Sequence, residues 1–383
     1  MDTANLDSPI DSTLQAIDEK LFELVKGIEI LDAVTPLNYK EQKNNFLTAS
    51  YSQNPTFIYA KHNVNVFQRK RDLFSLPVEQ LQDEDLVALY CAVIESYVDK
   101  IDQFQSIGTS DFMYDSLRYY GEPSEKDLRN ANFILHLPDE VESSEEQFMD
   151  SETIVNQLEN FAKTQGYDYQ IQLSDTMIAN ILVSGSTVKV NRLAKLPAVE
   201  VNALAHHEIG VHLVTTLNAR QQPLKILSLG CPVNTMTQEG LAILCEYLAG
   251  YMNINRLKVL ALRVIAVNSM LREKDFKNTF LLLKEEHQVD DELAFTITAR
   301  VYRGGGFTKD YLYLQGLHQM LNAYETRADF NNLLGGKVSV DSLDLITRLI
   351  DKNYLKTPKY ISPAIANPAE NDAVKQFIAH AIK

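Results

Sequence analysis

Apolar residues in the first third of the chain recur at alternating spacings of four and three, as expected for amphipathic helices. The first such series consists of Ile10, Leu14, Ile17, Leu21, Leu24, Ile28 and Leu31. It follows Pro9, a residue suited to a first helical turn. A stripe of about three heptads fits a helix docked on the rest of the protein better than a coiled-coil dimer seam. A further helix is predicted over residues 84–105.

Short β-type runs interrupt this helical pattern in the middle of the chain. They lie at residues 171–173, 177–183 and 187–190. Ser184-Gly185-Ser186 predicts a turn between the last two runs. A helix is predicted at 152–164, and helical spacing returns after Pro197. Strands followed by long helices predict a mostly helical α+β fold with a small β-sheet and an N-terminal helical region.

An acidic stretch separates the first helices from this β-containing part. Seven acidic residues and no basic one lie between Asp139 and Glu152. Such a run is more typical of a solvated linker than of a recognition strip. We therefore predict an N-terminal helical region at 1–138, an acidic linker at 139–152 and a catalytic domain at 153–383.

The most informative segment is the helix predicted after Pro197. It places His206, His207, Glu208 and His212 among residues that would otherwise suit a protein core. Burying such groups is costly unless they are paired, hydrogen-bonded or bound to a metal. The sequence therefore predicts a metal site on this helix.

The spacing of His207 and His212 has a geometric consequence. His207-Glu208-x-x-x-His212 is similar to the zincin motif H-E-x-x-H but has one extra residue. Residues five apart in an α-helix lie about 140° apart around its axis, against about 40° for residues four apart. A π-bulge would bring both imidazoles to one ion, and Gly210 would ease the distortion. We predict a π-type turn within about 208–212.

Two alternatives to this ligand pair stay open at this point. Glu208 and His212 are four apart and could both be ligands, which would leave His207 as a catalytic or supporting group. The histidines could also be core residues that are hydrogen-bonded to backbone carbonyl groups and bind no metal.

A third ligand is expected from the next helix, because hydrolytic zinc sites usually have three protein ligands and one water. Thr235 and Gln238 match a capping box, which would put Glu239 in the first turns of a helix. Glu239 is the predicted ligand, and Glu246, two turns later, is the reserve or the partner of an imidazole. This donor set suits one Zn²⁺ per chain, although manganese, iron or cobalt would also bind.

These residues predict a hydrolytic mechanism. Zinc lowers the pKa of a bound water to around 7. Glu208 is next to a ligand without being one, so it can accept a proton from that water and pass it to a leaving amine.

Composition narrows the classes of function. Of 383 residues, 45% are hydrophobic and 23% are charged, as in soluble globular proteins. The net charge of −15 disfavours nucleic acid as a partner. No apolar run approaches the ~18 residues of a membrane span, the start of the chain lacks the features of a secretory signal, and three widely spaced cysteines argue against a disulfide scaffold. We expect a cytoplasmic protein with neither nucleic-acid nor membrane partners, and of open oligomeric state.

Two motifs carry a resemblance to a known family. The stretches at 206–212 (HHEIGVH) and 237–242 (TQEGLA) resemble the QEGLA-motif proteins. Bacterial members are called flavohemoglobin expression-modulating QEGLA-motif proteins, and animal members include the microtubule-associated tyrosine carboxypeptidases. Supporting similarity at 108–123, 300–304 and 307–316 extends the likeness over about residues 100–320.

The resemblance implies a zincin-like domain with His207, His212 and Glu239 as zinc ligands and Glu208 as the catalytic glutamate. It selects Glu239 over Glu246. The animal enzymes remove the C-terminal tyrosine of tubulin, whose tail is strongly acidic. A chain with a net charge of −15 and no obvious basic arm leaves the substrate open.

Basic residues near position 300 are candidates for holding a substrate carboxylate. The planar guanidinium group of arginine suits this task. Arg303 is the first choice, followed by Arg300 and Lys309, and Tyr313 could donate a hydrogen bond to the oxyanion. The alternative is that these residues form surface loops or structural ion pairs.

The sequence thus predicts a zinc carboxypeptidase acting on a peptide or protein C terminus. One alternative is a regulatory protein with a structural metal and no turnover. Another is a zinc amidase acting on a non-peptide substrate.

Overall fold

A computed structural model describes residues 9–61, 65–139, 148–175, 177 and 179–383, which are mostly helical. The α-helices are α1 (Ser12–Val25), α2 (Ile30–Ala33), α3 (Tyr39–Thr48), α4 (Val66–Phe74), α5 (Glu84–Ser106), α6 (Phe112–Tyr120), α7 (Glu125–Leu135), α8 (Ser151–Lys163), α9 (Ala198–Leu204), α10 (Val214–Gln221), α11 (Ile226–Leu229), α12 (Asn234–Leu248), α13 (Ile254–Glu273), α14 (Phe276–Leu281), α15 (Asp291–Tyr302), α16 (Leu312–Thr326), α17 (Leu343–Asp351), α18 (Pro363–Ala366) and α19 (Ala373–Ala381). Short 3₁₀ segments lie at Val78–Gln80, Arg303–Gly305, Thr308–Tyr311, Phe330–Gly335 and Val340–Ser342, and π-helical segments at Ala205–Leu213 and Leu282–Glu286.

Five short strands form two small sheets. They are β1 (Phe148–Asp150), β2 (Gln170–Ser174), β3 (Ile181–Ser184), β4 (Thr187–Asn191) and β5 (Lys195–Pro197). Strands β1 and β5 pair antiparallel, and the other sheet has the order β2-β4-β3, parallel between β2 and β4 and antiparallel between β3 and β4. The prediction of a mostly helical α+β fold is confirmed, and its zincin-like character stays a prediction.

The predicted first helix is shorter than its apolar series. Asp11 caps α1 by accepting a hydrogen bond from the backbone N–H of Leu14, and the helix ends at Val25. Gly27 then takes a φ of 83°, a left-handed conformation that breaks the helix. The stripe packs into the main core beside α4 and α11, as predicted for a docked helix, but Leu31 lies beyond the break and is 49% exposed.

The other predicted elements agree with the structure to within a few residues. Helix α5 and helix α8 match the predictions at 84–105 and 152–164. Strands β2 and β4 match the runs at 171–173 and 187–190, and β3 matches only the end of the run at 177–183. Gly185 turns the chain between β3 and β4 with a φ of 60°. Of the predicted acidic linker, residues 140–147 lie outside the described residues.

Two hydrophobic clusters surround the helix that carries the histidines. The larger joins α1 and α5 to α12, α13 and α16, and the smaller joins α8 and the three-stranded sheet to one side of α9 and α10. The segment between α9 and α10 contributes Val211 to the first cluster and Ile209 to the second. Its polar residues are therefore held at the junction of two packed layers.

Within the described ranges, no helix combines the length and the apolar content needed to cross a bilayer. The three cysteines are free, Cys91 at the surface and Cys231 and Cys245 buried.

Candidate metal centre

The predicted π-type turn is confirmed, and it is longer than expected. Residues Ala205–Leu213 are π-helical and form a continuous helix with α9 and α10. Gly210 lies inside this segment, where an added Cβ would be 3.2 Å from Oγ of Ser362. The absence of a side chain at Gly210 thus lets the residues at the start of α18 approach the π-helical segment. It also makes the π-helical backbone easier to adopt.

The widened turn directs two imidazoles towards one carboxylate oxygen. Nε2 of His207 lies 3.7 Å from Oε2 of Glu239, and Nε2 of His212 lies 3.8 Å from the same oxygen. One ligand atom from each of the three residues falls within 4.8 Å of the other two. The His207 side chain is 6% exposed and that of His212 is 22% exposed, so the cluster opens on the side of His212.

These distances fit a single small cation. Ligand atoms placed about 2.0–2.2 Å from a tetrahedral zinc ion lie about 3.3–3.6 Å from one another. The distances from Oε2 of Glu239 to the two imidazole nitrogens, 3.7 and 3.8 Å, are only slightly longer than these ligand–ligand distances. Two imidazoles and one carboxylate are also the donor set found in a class of catalytic zinc sites.

His207 is oriented by a carboxylate on its far side. Its Nδ1 lies 2.7 Å from Oε1 of Glu246, and Arg256 donates two hydrogen bonds of 2.7 Å to the same carboxylate. Burial alone would lower the pKa of His207, but hydrogen bonds with Glu239 and Glu246 raise it to about 9. A carboxylate on one ring nitrogen leaves the other nitrogen pointing at the metal position. Glu246 is thus the hydrogen-bond partner of an imidazole, which is one of the two roles predicted for it.

Glu239 is held by a buried lysine. Nζ of Lys309 donates to Oε1 of Glu239 at 2.9 Å and to the hydroxyl of Tyr313 at 3.1 Å. Burial would raise the pKa of Glu239, but the charge of Lys309 and hydrogen bonds with the two histidines hold it well below its usual range. The glutamate is therefore a carboxylate, as a metal ligand must be.

Glu208 lies beside His207 and is oriented by the sheet. The backbone N–H of Val183 in β3 donates to its Oε2 at 3.0 Å, and the residue is 8% exposed. β3 is an edge strand of its sheet. The contact occupies Oε2 of Glu208, and no hydrogen bond to its Oε1 is present among the described residues.

The capping box predicted for α12 is wrong. The helix starts at Asn234, its N-cap is Val233 with a φ of 50°, and no side chain in the described part of the protein caps it. Thr235 is therefore inside the helix. Gln238 instead accepts a hydrogen bond from Thr215 at 3.1 Å, which ties α12 to α10. Tertiary contacts, not a local cap, fix this end of the helix.

The predicted carboxylate-binding residues have different surroundings. Arg300 donates to the buried carboxylate of Asp310 at 2.6 and 3.1 Å and so forms a partly buried ion pair. The guanidinium group of Arg303 lies 4.9 Å from the centre of the Phe307 ring, and its buried Nε has no hydrogen-bond partner among the described residues. Burial, together with the nearby Arg300, lowers the pKa of Arg303.

Sequence reasoning missed two arginines of α13. Arg256 holds Glu246, and Arg263 lies with its guanidinium carbon 5.4 Å from the centre of the Tyr313 ring. The buried Nε of Arg263 is likewise without a partner in the described part of the chain, and burial and Arg300 lower its pKa to about 10. The available signal was their spacing of seven residues, which puts two arginines on one face of the helix.

Two histidines and a glutamate aimed at one point, with a second glutamate beside them, define a candidate metal centre of the His₂Glu type. Residues 44–383 match the family model described as microtubule-associated tyrosine carboxypeptidase. The chain belongs to this family, and the resemblance drawn from its two motifs is confirmed. A comparison with curated proteins gives no match. Carboxypeptidase activity is thus the activity of the family.

Proposed function

We propose that this protein is a zinc-dependent carboxypeptidase that removes the last residue of a peptide or protein. His207, His212 and Glu239 are the zinc ligands, and Glu208 is the general base. The observation that carries the proposal is the convergence of two imidazole nitrogens on one oxygen of Glu239, at 3.7 and 3.8 Å.

The residues around this point have separate tasks. Zinc, when bound, polarises the scissile carbonyl group and makes a water molecule more acidic. Oε1 of Glu208 accepts a proton from the attacking water while Val183 N–H keeps Oε2 in place. Glu208 then returns the proton to the leaving amine. Tyr313 is oriented by Lys309 and donates a hydrogen bond to the developing oxyanion.

The substrate's terminal carboxylate needs a cation that is not already neutralised. Arg300 is engaged by Asp310, and Lys309 by Glu239. The buried Nε atoms of Arg303 and Arg263 have no hydrogen-bond partner in the described ranges, although both guanidinium groups feel the charge of Asp310, and this supports them as the carboxylate-binding pair. Two guanidinium groups so placed offset part of the repulsion that a net charge of −15 exerts on an anionic chain end.

Metal analysis tests the ligand set. Purified protein should contain close to one zinc per chain, and His207→Ala should lose it. His287→Ala removes a half-buried histidine from a different part of the chain and should leave the zinc content unchanged. Retention of zinc by His207→Ala would contradict the assignment.

Peptide hydrolysis tests the activity. A library of peptides with varied C termini should lose single C-terminal residues, as read by mass spectrometry. Glu208→Gln should keep its zinc and lose this activity, whereas Glu159→Gln, on the exposed face of α8, should behave as the wild type. Internal cleavage would move the protein to another class of peptidase. Zinc binding without turnover of any peptide would favour a regulatory protein or an amidase.

A further inference from the structure

Lys309 is a buried cation with two defined contacts. It lies in the 3₁₀ segment Thr308–Tyr311, is 4% exposed, and its ammonium group contacts Oε1 of Glu239 and the hydroxyl of Tyr313. Its ammonium is also 4.7 Å from the centre of the Tyr313 ring. A lysine this buried, with two of its three donors used, is poorly placed to receive a substrate carboxylate.

The two oxygens of Glu239 have different environments. Oε1 faces Lys309 at 2.9 Å, while Oε2 faces the imidazoles of His207 and His212. A carboxylate can bind a metal through one oxygen or both. A charge-assisted hydrogen bond on one oxygen favours binding through the other alone.

We propose that Lys309 is a positioning residue for Glu239, which it restricts to coordination through Oε2. This inference rests on the proposed metal site. It replaces the sequence-based expectation that Lys309 binds substrate. Coordination through one oxygen leaves the fourth position of a tetrahedral site open, which a hydrolase requires.

Whether removal of Lys309 tightens or weakens zinc binding distinguishes charge repulsion between Lys309 and the metal from a positioning role for Lys309. Lys309 is a positive charge near the metal position, so its removal would tighten zinc binding if repulsion were its main contribution. If Lys309 positions Glu239, its removal frees Oε1, the carboxylate can rotate, and zinc binding weakens. Partners of metal ligands typically contribute 10- to 100-fold to affinity. We expect a loss of about that size in Lys309→Met.

The experiment measures zinc affinity by competition with a chromophoric chelator. It compares wild type with Lys309→Met and Lys309→Arg, and circular dichroism checks that each variant is folded. Lys309→Arg keeps a positive charge next to the Glu239 carboxylate, so this variant is expected to fold even if Lys309→Met does not. We expect it to bind zinc more weakly than wild type as well, because the longer, forked side chain cannot hold Oε1 in the same place.

A matched control exists elsewhere in the chain. Lys284 also contacts a carboxylate and a tyrosine hydroxyl, those of Asp291 and Tyr51. Lys284→Met should leave zinc affinity unchanged. Cobalt gives a second readout, since the visible absorption of Co²⁺ responds to coordination number and should change in Lys309→Met.

A double-mutant cycle tests whether Lys309 acts through Glu239. In a Glu239→Gln background, Lys309→Met should cause little further loss of affinity, because the effects of residues acting on one another are not additive. This inference alone is overturned if the wild-type protein binds zinc and a folded Lys309→Met variant binds it with equal or higher affinity. Wild-type protein that binds neither Zn²⁺ nor Co²⁺ would overturn the proposed function as well.

Discussion

The glycine of the Gln-Glu-Gly-Leu-Ala motif sits where two helices nearly touch, and its replacement should disturb stability and metal binding together. Gly240 in α12 faces Gly316 in α16. A Cβ added to Gly240 would lie 2.3 Å from the carbonyl carbon and oxygen of Gly316 and 2.7 Å from its Cα. These are backbone atoms, which cannot rotate away as a side chain could.

The size of the effect follows from the distances. Ordinary contact begins near 3.4 Å, so Gly240→Ala requires α12 and α16 to separate by about 1.1 Å. Inserting a group into a packed interior typically lowers the free energy of unfolding by about 1–3 kcal/mol. Glu239 is the preceding residue, and a shift of about 1 Å exceeds the tolerance of about 0.2 Å for metal–ligand distances. We expect zinc affinity to fall by about tenfold or more.

The assay combines urea unfolding of the chelator-treated protein with a zinc competition titration. Gly335→Ala is the matched control, because its added Cβ would have no atom closer than 3.6 Å. Gly316→Ala should repeat the defect, since its Cβ would lie 2.3 Å from the carbonyl oxygen of Met236. The reasoning is refuted if Gly240→Ala unfolds at the wild-type urea concentration and binds zinc with wild-type affinity.

Three further outcomes are expected. Glu246→Gln should weaken zinc binding by about 10- to 100-fold, because the amide orients His207 less firmly; unchanged affinity in the chelator titration would contradict this. Asp310→Asn should lower the free energy of unfolding by about 3 kcal/mol, since it removes the buried carboxylate that pairs with the 22%-exposed Arg300; a melting temperature equal to that of the wild type would count against it. Burial lowers the pKa of His206 to about 4 from 6.5, so its neutral form stabilises the metal-free protein above pH 6.5, and this stability should be lost as pH falls to about 4. His206→Gln should flatten that part of the pH profile of unfolding, and an unchanged profile would exclude His206 as its cause.

Local patterns in the sequence were sufficient for much of the fold. The helices α5 and α8 and the β-type runs of the middle segment were predicted because burial of one face imposes a period of 3.6 or 2 on the apolar residues. The π-helical segment was predicted from the spacing of His207 and His212, because two groups five residues apart can meet only if the turn is widened.

Failures of prediction occurred where contacts from distant residues outweigh local preference. Thr235 and Gln238 have the spacing of a capping box, yet Gln238 bonds to Thr215 and the helix begins earlier. The parallel pairing of β2 with β4 also has no local signature, since it depends on how the intervening β3 folds back.

For the candidate site, the sequence by itself determined the type of chemistry: which histidines and glutamates are available, and that a widened turn is needed to use them together. The tertiary structure decided what each of these groups contacts. Only packing could reveal that Lys309 is paired with Glu239, that Arg300 is paired with Asp310, and that Nε of Arg263 has no hydrogen-bond partner within the described residues. The physical reason is that the role of a buried charged side chain depends on which opposite charge lies beside it. Packing selects that neighbour, as when Lys309 meets Glu239 from 70 residues away.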